Sequence, residues 1–196
     1  MLLDYIKNVY LLFIRILSVL VIYQLCRLLY LFYNITYFQS LDLYNYIRIL
    51  TGSIKFDLSA ILYLNALLIF LSLIPTKLIF KNWYKKILSY TFIIINSLGI
   101  FLNVADVFYY PFAKNRFTIS SIEEFSLGVS ANKGSFLTQF TLDYWYVIPL
   151  MIITVYLLAK ISTKTKLISS GNKFSIKSVL TTNLIMLILF TLTVFG

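Results

Sequence analysis

Few of the residue types that carry enzyme chemistry occur in this chain of 196 residues. It contains no histidine and only one cysteine, Cys26, and it has no glycine-rich phosphate-binding motif. These absences exclude zinc sites, Ser-His-Asp triads, Cys-His pairs and imidazole acid–base catalysis from the sequence. Any chemistry would have to use carboxylates, hydroxyl groups, lysine or tyrosine. We therefore predict no catalytic residue, no cofactor-binding residue and no metal ligand in this chain.

The candidate binding residues are charged or aromatic and lie close to the ends of apolar segments. They are Arg27, Asp57, Asp106, Tyr109, Tyr110 and Arg116. A carboxylate or guanidinium that is partly within lipid needs a partner, because an unpaired one costs several kcal/mol. One interpretation is an ion-pair lock that fixes the order of the helices. The alternative is a site for a lipid headgroup, because guanidinium groups bind phosphate bidentately.

Uncharged polar and small residues form two stripes within the apolar segments. Asn96, Gly99 and Asn103 are three or four residues apart, and Asn65 and Ser72 are seven apart. Each spacing places its residues on one face of a helix. Such stripes usually allow close helix packing and hydrogen bonds between helices. The alternative is that the amides line a route for a polar headgroup or an ion.

The composition indicates which elements carry these residues. With 60% hydrophobic and 12% charged residues, the chain has too little polar surface to cover a water-soluble globule. The net charge of +10 could suggest nucleic-acid binding, but apolar blocks separate the basic residues, which form no continuous stripe. We therefore predict a membrane protein that binds no nucleic acid.

Five apolar blocks are long enough to cross a bilayer as helices. We predict a single all-α transmembrane domain with spans at about 9–33, 56–74, 87–109, 144–159 and 176–194. Helices are expected because backbone groups in lipid must be hydrogen-bonded within their own segment. We see no inverted pair of interrupted helices, which argues against a secondary transporter.

The distribution of lysine predicts the orientation of these spans. The connections 75–86 and 160–177 contain lysines and no acid, whereas the other two connections balance their charges. By the positive-inside rule the lysine-only connections face the cytoplasm. This rule places the N-terminus in the cytoplasm and the C-terminus outside the cell, with the chain in the cell membrane.

The stretch DVFYYPFAKNRF, residues 106–117, leads from the third span into an outer loop. We expect its tyrosines to lie at headgroup level and Pro111 to end the helix. Ser120 and Glu123 have the spacing of a capping box, which predicts a short interfacial helix in the loop before the fourth span. A second short helix is expected from Ser135 onwards.

Three segments together resemble the membrane region of a known enzyme family. They are GSIKFDLSAILYLNALLIFLSLIP, LNVADVFYYPFAKNRFT and DYWY. In this order they are similar to the N-terminal region of the lipoteichoic acid synthase family, phosphoglycerol transferases of the alkaline phosphatase/sulfatase superfamily. The resemblance covers roughly residues 10–195. It implies five spans, and it implies that Asp57, Asp106 and Arg116 serve lipid access or docking of a catalytic domain.

The resemblance also implies what this chain lacks. In that family a catalytic domain follows the fifth span outside the cell, holds a divalent metal and transfers glycerol phosphate from phosphatidylglycerol. This chain ends at Gly196, where the fifth predicted span ends. We therefore expect it to act as an anchor that presents lipid, without activity of its own, to a sulfatase-like domain in cis or in trans.

Two alternatives stay open from the sequence. The chain could be a stand-alone membrane scaffold or small carrier without enzymatic activity. It could also be the anchor of a phosphoethanolamine-transferase-like enzyme, which has a similar plan of spans.

Overall fold

The computed structural model describes residues 2–38, 42–73, 81–113 and 144–165, together with Leu142 and Leu184. The described regular structure is entirely helical, which confirms the predicted all-α class. The α-helices are α1 (Leu2–Tyr33), α2 (Leu43–Leu64), α3 (Ala66–Leu73), α4 (Asn82–Ala113) and α5 (Val147–Lys164), and a short 3-10 helix at Ile35–Tyr37 follows α1.

Three of these helices are long and apolar enough to cross a membrane. They comprise Lys7–Tyr33 in α1, Asn82–Pro111 in α4 and Val147–Lys164 in α5. The α2–α3 pair, bent by 60°, adds a fourth if the two helices form one span. The predicted fifth span at 176–194, apart from Leu184, and the predicted interfacial helices after Ala113 lie outside the described residues.

The second span differs most from its prediction. The sequence predicts one span from 56 to 74, but α2 already begins at Leu43 and the helix breaks at Asn65. At the break, the Asn65 side chain and its backbone N–H both donate to the Ile61 carbonyl, each over 2.9 Å. A sum of hydropathies does not detect such a break, because the apolar residues continue on both sides of it.

Contacts at the two ends of the bundle define the directions of the helices. At what we call the aromatic end, Phe108 of α4 contacts Tyr33 of α1 and Tyr146, just before α5, with ring centroids 4.9 and 5.3 Å apart. At the opposite, basic end, Ser89 of α4 is hydrogen-bonded to Ser162 of α5. Helices α1 and α4 therefore run in the same direction, and α5 runs in the opposite one.

The bent pair also runs from the aromatic end toward the basic end. Asp57 of α2 contacts Arg27 in the second half of α1, and the Tyr84 hydroxyl near the start of α4 donates to the Leu71 carbonyl of α3. The chain thus reverses direction from α1 to α2–α3, again to α4, and again to α5. This alternation places the described parts of both lysine-only connections, Lys81–Lys86 and Lys160–Lys164, at the basic end.

Helices α1 and α4 form the centre of the bundle, since each contacts every other described helix. The fully buried side chains are apolar apart from a few amides and one hydroxyl, and they include Val19, Ile61, Leu68, Phe92, Ile100 and Leu158. The outward faces are equally apolar, as Phe32 and Ile94 illustrate with 70% and 67% exposure. Lipid rather than water suits such a surface.

Gly99 of α4 allows α1 to approach closely. A Cβ atom built at this position would collide with the Tyr23 hydroxyl and would lie 3.0 Å from Cδ1 of Leu64. Tyr23 is almost completely buried, and its hydroxyl has no hydrogen-bond partner in the described part of the chain. The absence of a side chain at Gly99 therefore provides the room for the Tyr23 ring between α1 and α4.

We expect Gly99→Ala to lower the free energy of unfolding by about 1–3 kcal/mol, because it overpacks this contact. Tyr23→Phe removes the colliding hydroxyl without the loss of a hydrogen bond, so the double variant should recover most of the stability. The free energy of unfolding of the wild type, of Gly99→Ala and of the double variant is measured by unfolding in mixed micelles with increasing SDS. Gly52→Ala is the matched control, because a Cβ there meets nothing within 4 Å. Equal stability of Gly99→Ala and wild type would contradict the prediction.

Candidate functional site

An ion pair between two charged side chains joins α1 to α2. Arg27 Nη2 lies 2.6 Å from Asp57 Oδ1, and Arg27 Nε lies 3.2 Å from Asp57 Oδ2. The two donors and two acceptors form a bidentate pair. Both side chains are largely withdrawn from the surface, with 16% and 9% exposure. The structure therefore brings together two of the predicted site residues.

Two neutral side chains complete this contact. Gln24 Nε2 donates to Asp57 Oδ2 over 2.8 Å, and the Ser53 hydroxyl lies 3.3 Å from Gln24 Oε1 and 2.6 Å from the Leu50 carbonyl. Gln24 and Arg27 are three residues apart on α1, and Ser53 and Asp57 are four apart on α2, so each pair lies on one helical face. We call these four residues the Asp57 network.

The depth of the Asp57 network decides its electrostatics. Arg27 precedes the end of α1 at Tyr33 by six residues, which corresponds to about 9 Å along the helix. At this depth the pair has little water around it, so loss of either partner leaves a costly unpaired charge. Asp57 occupies one edge of the guanidinium, which is formed by Nε and Nη2. Arg27 thus acts in this structure as a contact between helices.

Asp57 lies well inside α2, although the sequence predicts it in the first turn of a span. The difference follows from the earlier start of α2 at Leu43. The sequence signal for the pairing was sound, since one carboxylate and one guanidinium stand at similar depth in consecutive apolar segments. The sequence did not indicate that Gln24 and Ser53 also take part in this contact.

Three further predicted site residues, Asp106, Tyr109 and Tyr110, lie on the last turns of α4. Tyr110 contacts Tyr30, Tyr37 and Phe38, with ring centroids 5.3, 5.8 and 5.9 Å apart. Asp106 and Tyr109 are half-buried on the same turns. Arg116 lies outside the described residues. Tyr109 and Tyr110 therefore belong to the aromatic end, where the rings pack against one another.

Asn34 joins α1 to α4 at the aromatic end, a role that the sequence analysis missed. Its side-chain amide donates to the Val107 carbonyl over 3.0 Å and to the Tyr30 carbonyl over 3.0 Å. Pro111 lies four residues after Val107 and has no N–H, so the Val107 carbonyl lacks its usual helical partner. The helix continues past Pro111 to Ala113, contrary to the expectation that Pro111 ends it. The position of Pro111 in the sequence indicates that the Val107 carbonyl lacks a helical partner, but it does not indicate that Asn34 binds this carbonyl.

The two polar stripes meet at only one point. Asn65 Nδ2 donates to Asn96 Oδ1 over 2.9 Å, and Asn96 Nδ2 donates to Asn65 Oδ1 over 2.8 Å, while both residues are fully buried. This reciprocal pair connects the break after α2 to the middle of α4. Asn103 instead donates to the Gly99 carbonyl of its own helix, and Ser72 is buried in α3. The Asn65–Asn96 contact is that of helix packing.

Arg15 forms a second polar contact, which the sequence analysis also missed. Its Nε donates to the Thr165 hydroxyl over 2.8 Å, and its Nη2 donates to the carbonyls of Ser162 and Thr165 over 3.2 and 3.0 Å. The guanidinium also lies over the Phe92 ring, 5.3 Å from its centroid. Arg15 therefore binds the C-terminus of α5, where the helix dipole favours a cation.

The described residues contain no group of three or more His, Cys, Asp or Glu side chains that could hold a metal ion. In comparisons with protein-family models, curated proteins and solved structures, nothing matches this chain. The site therefore has to be interpreted from its own geometry.

Proposed function

We propose that this chain is the membrane-anchoring and lipid-presenting domain of a lipoteichoic acid synthase-like phosphoglycerol transferase, without activity of its own. A sulfatase-like catalytic domain, in cis or in trans, would supply the divalent metal and the chemistry. The lipid presented would be phosphatidylglycerol in the outer leaflet. Five spans, with the N-terminus in the cytoplasm and the C-terminus outside, belong to the same proposal.

One observation carries the proposal. The three segments that resemble the family are far apart in the sequence, yet parts of all three lie toward the aromatic end of the bundle. Asp57 belongs to the first segment and pairs with Arg27, Phe108 belongs to the second, and Tyr144 and Tyr146 belong to the third. A catalytic domain on this side of the membrane would lie over the end of the bundle toward which these parts of the three segments are placed.

The basic end supports the orientation. Lys81, Lys85 and Lys86 at the start of α4 and Lys160 and Lys164 at the end of α5 lie at this end, opposite the aromatic rings. The positive-inside rule assigns such an end to the cytoplasm. The aromatic end would then face outward, where the substrate lipid and the catalytic domain are expected.

The first experiment is to tag the N-terminus in the native cell and to measure the mass of the tagged product from its membranes. We expect either a product several hundred residues longer or co-purification of a sulfatase-like chain. The 196-residue protein alone, in vesicles of phosphatidylglycerol, should release no diacylglycerol. A native product of 196 residues without such a partner would contradict the proposal and favour the stand-alone scaffold.

The orientation has its own test. In a Cys26→Ala background, an impermeant maleimide should label Tyr37→Cys at the aromatic end in intact cells and should label Thr163→Cys at the basic end only after lysis. Both positions are exposed in the structure, so accessibility within the protein does not bias the comparison. The reverse labelling pattern would invert the proposed orientation.

A further inference from the structure

The charge of Arg15 is not balanced by a carboxylate in the described part of the chain. The side chain is buried, with 3% exposure, and it donates its hydrogen bonds to hydroxyl and carbonyl oxygens of Ser162 and Thr165. We call these three residues the α1–α5 junction. The end of α5 offsets part of the charge, but a helix terminus carries only about half an elementary charge. Because buried charges are normally paired, the junction keeps an excess of positive charge.

The carboxylates that the structure describes lie far from the α1–α5 junction. They belong to Asp42 and Asp57 of the α2 region and to Asp106 on the last turns of α4, all toward the aromatic end. Asp4, the acid nearest to Arg15 in the chain, precedes it by eleven residues, which is about 16 Å along α1. This separation exceeds the Debye length of about 8 Å at physiological ionic strength. The anion that balances the junction is therefore expected from another source.

Two lysines of α5 lie beside the junction on the exposed side. Around the helix axis, Ser162, which faces α4, is about 60° to one side of Thr165, and Lys164 is about 100° to the other side. Lys160 precedes Lys164 by four residues, so the two project from the same side of α5. Both lysines are exposed. Two ammonium groups thus stand next to the buried guanidinium of Arg15.

The surface of α5 next to these lysines suits an acyl chain. Leu157 precedes Lys164 by seven residues and Ile153 precedes Lys160 by seven, so each apolar residue lies on the same face as its lysine, two turns away. Leu157 and Ile153 are 42% and 56% exposed. Since α5 runs from the aromatic end to the basic end, these apolar residues lie deeper in the span than the lysines. A phospholipid with its phosphate at Lys164 would place an acyl chain along Leu157.

We infer that Lys160 and Lys164, beside the buried charge of Arg15, bind the phosphate of an anionic phospholipid in the leaflet at the basic end. Charge complementarity selects this ligand, because basic pockets between membrane helices bind anionic headgroups. The site lies at the end of the bundle opposite to the one where the proposed function places its substrate lipid. The inference requires that the chain lies in a membrane, and it is independent of which leaflet the basic end faces.

Binding is tested with the 196-residue protein in nanodiscs, in a Cys26→Ala background, with a fluorophore at Leu157→Cys. Phosphatidylglycerol or phosphatidylcholine with brominated acyl chains serves as the quencher. We expect phosphatidylglycerol to quench more strongly than phosphatidylcholine at equal mole fraction. Its relative association should fall on the order of fivefold for each lysine removed in Lys160→Gln/Lys164→Gln. Equal quenching by the two lipids before these substitutions would overturn the inference.

Two controls separate a site at the junction from a general attraction of lysines for anionic lipid. Lys81→Gln/Lys86→Gln removes two exposed lysines from the α4 side of the same end and should change the preference little. A fluorophore at Val155→Cys reports the other side of α5, because Val155 precedes Ser162 by seven residues and is 40% exposed. It should show a weaker preference for the anionic lipid. An equal loss in both double variants, or an equal preference at both labels, would overturn the inference.

The source of the phosphate is tested by competition. Glycerol phosphate in excess should not remove the lipid preference beyond the effect of sodium chloride at the same ionic strength. A loss with glycerol phosphate alone would identify a free phosphate as the ligand and would overturn the inference. The lysines are replaced rather than Arg15, because Arg15 also holds the end of α5 and its loss would disturb the fold.

The result is independent of the proposed enzyme assignment. A lipid preference at the α1–α5 junction in a native product of 196 residues would leave the inference standing while the assignment fails. A longer native product without this preference would have the opposite meaning.

Discussion

Replacement of Asp57 with alanine should lower the free energy of unfolding by about 3–5 kcal/mol, which is the largest effect that we expect from a single substitution. The reason is that Arg27 would remain at membrane depth without a counter-charge, and Gln24 would lose an acceptor. Reversible unfolding in mixed micelles with increasing SDS measures the change. Removal of the charge alone, in Asp57→Asn, should cause a smaller but still substantial loss.

The decisive control is the double variant Arg27→Met/Asp57→Leu. Two apolar side chains of similar size leave no unpaired charge, so this protein should be clearly more stable than Asp57→Ala. Asp42→Ala removes the exposed carboxylate that caps the same helix, so it should cost only about 0.5–2 kcal/mol, less than Asp57→Ala. If the double variant were no more stable than Asp57→Ala, the loss would not come from an unpaired guanidinium.

The Asp57 experiments also separate two roles at this site. A structural pair predicts that the double variant recovers both folding and every downstream property of the domain. A site that handles lipid predicts recovery of folding without recovery of transfer in the complete enzyme. The bidentate geometry favours the structural role for Arg27, since its Nε and Nη2 groups both bind Asp57.

Replacement of Arg15 with methionine should lower the free energy of unfolding by about 1.5–3 kcal/mol, the range for hydrogen bonds of charged groups. Methionine preserves much of the apolar contact with Phe92, but it leaves the Ser162 and Thr165 carbonyls without the guanidinium donors. The last turn of α5 should open first. Amide hydrogen exchange should therefore accelerate at residues 161–165 more than at Val147–Leu150.

Two further variants make the Arg15 prediction specific. Arg15→Lys keeps the charge but not the planar fork of donors, so its loss should be intermediate. Lys160→Met removes an exposed cation from the same end of α5 and should change stability little. Uniform acceleration of exchange along α5 in Arg15→Met would contradict a role of Arg15 at the helix terminus.

The sequence by itself determined the class of the protein and much of its helical plan. Apolar blocks of sufficient length predicted helices, and α1 ends at Tyr33 as predicted. The prediction worked for a local reason, because the free energy of transferring a segment into lipid is nearly a sum over the residues of that segment. Lysine distribution is likewise counted loop by loop, and the orientation derived from it stays a prediction. The presence of charges at membrane depth also predicted that Arg27 and Asp57 need partners.

Only the tertiary structure decided which partners these groups have. Asn65, at the break, pairs with Asn96 in another helix, Asn34 binds the carbonyl that Pro111 leaves unpaired, and Arg15 binds the end of α5. None of these features is a property of one segment. Each arises because two helices lie side by side at a particular angle and height, which a sum of residue hydropathies does not contain.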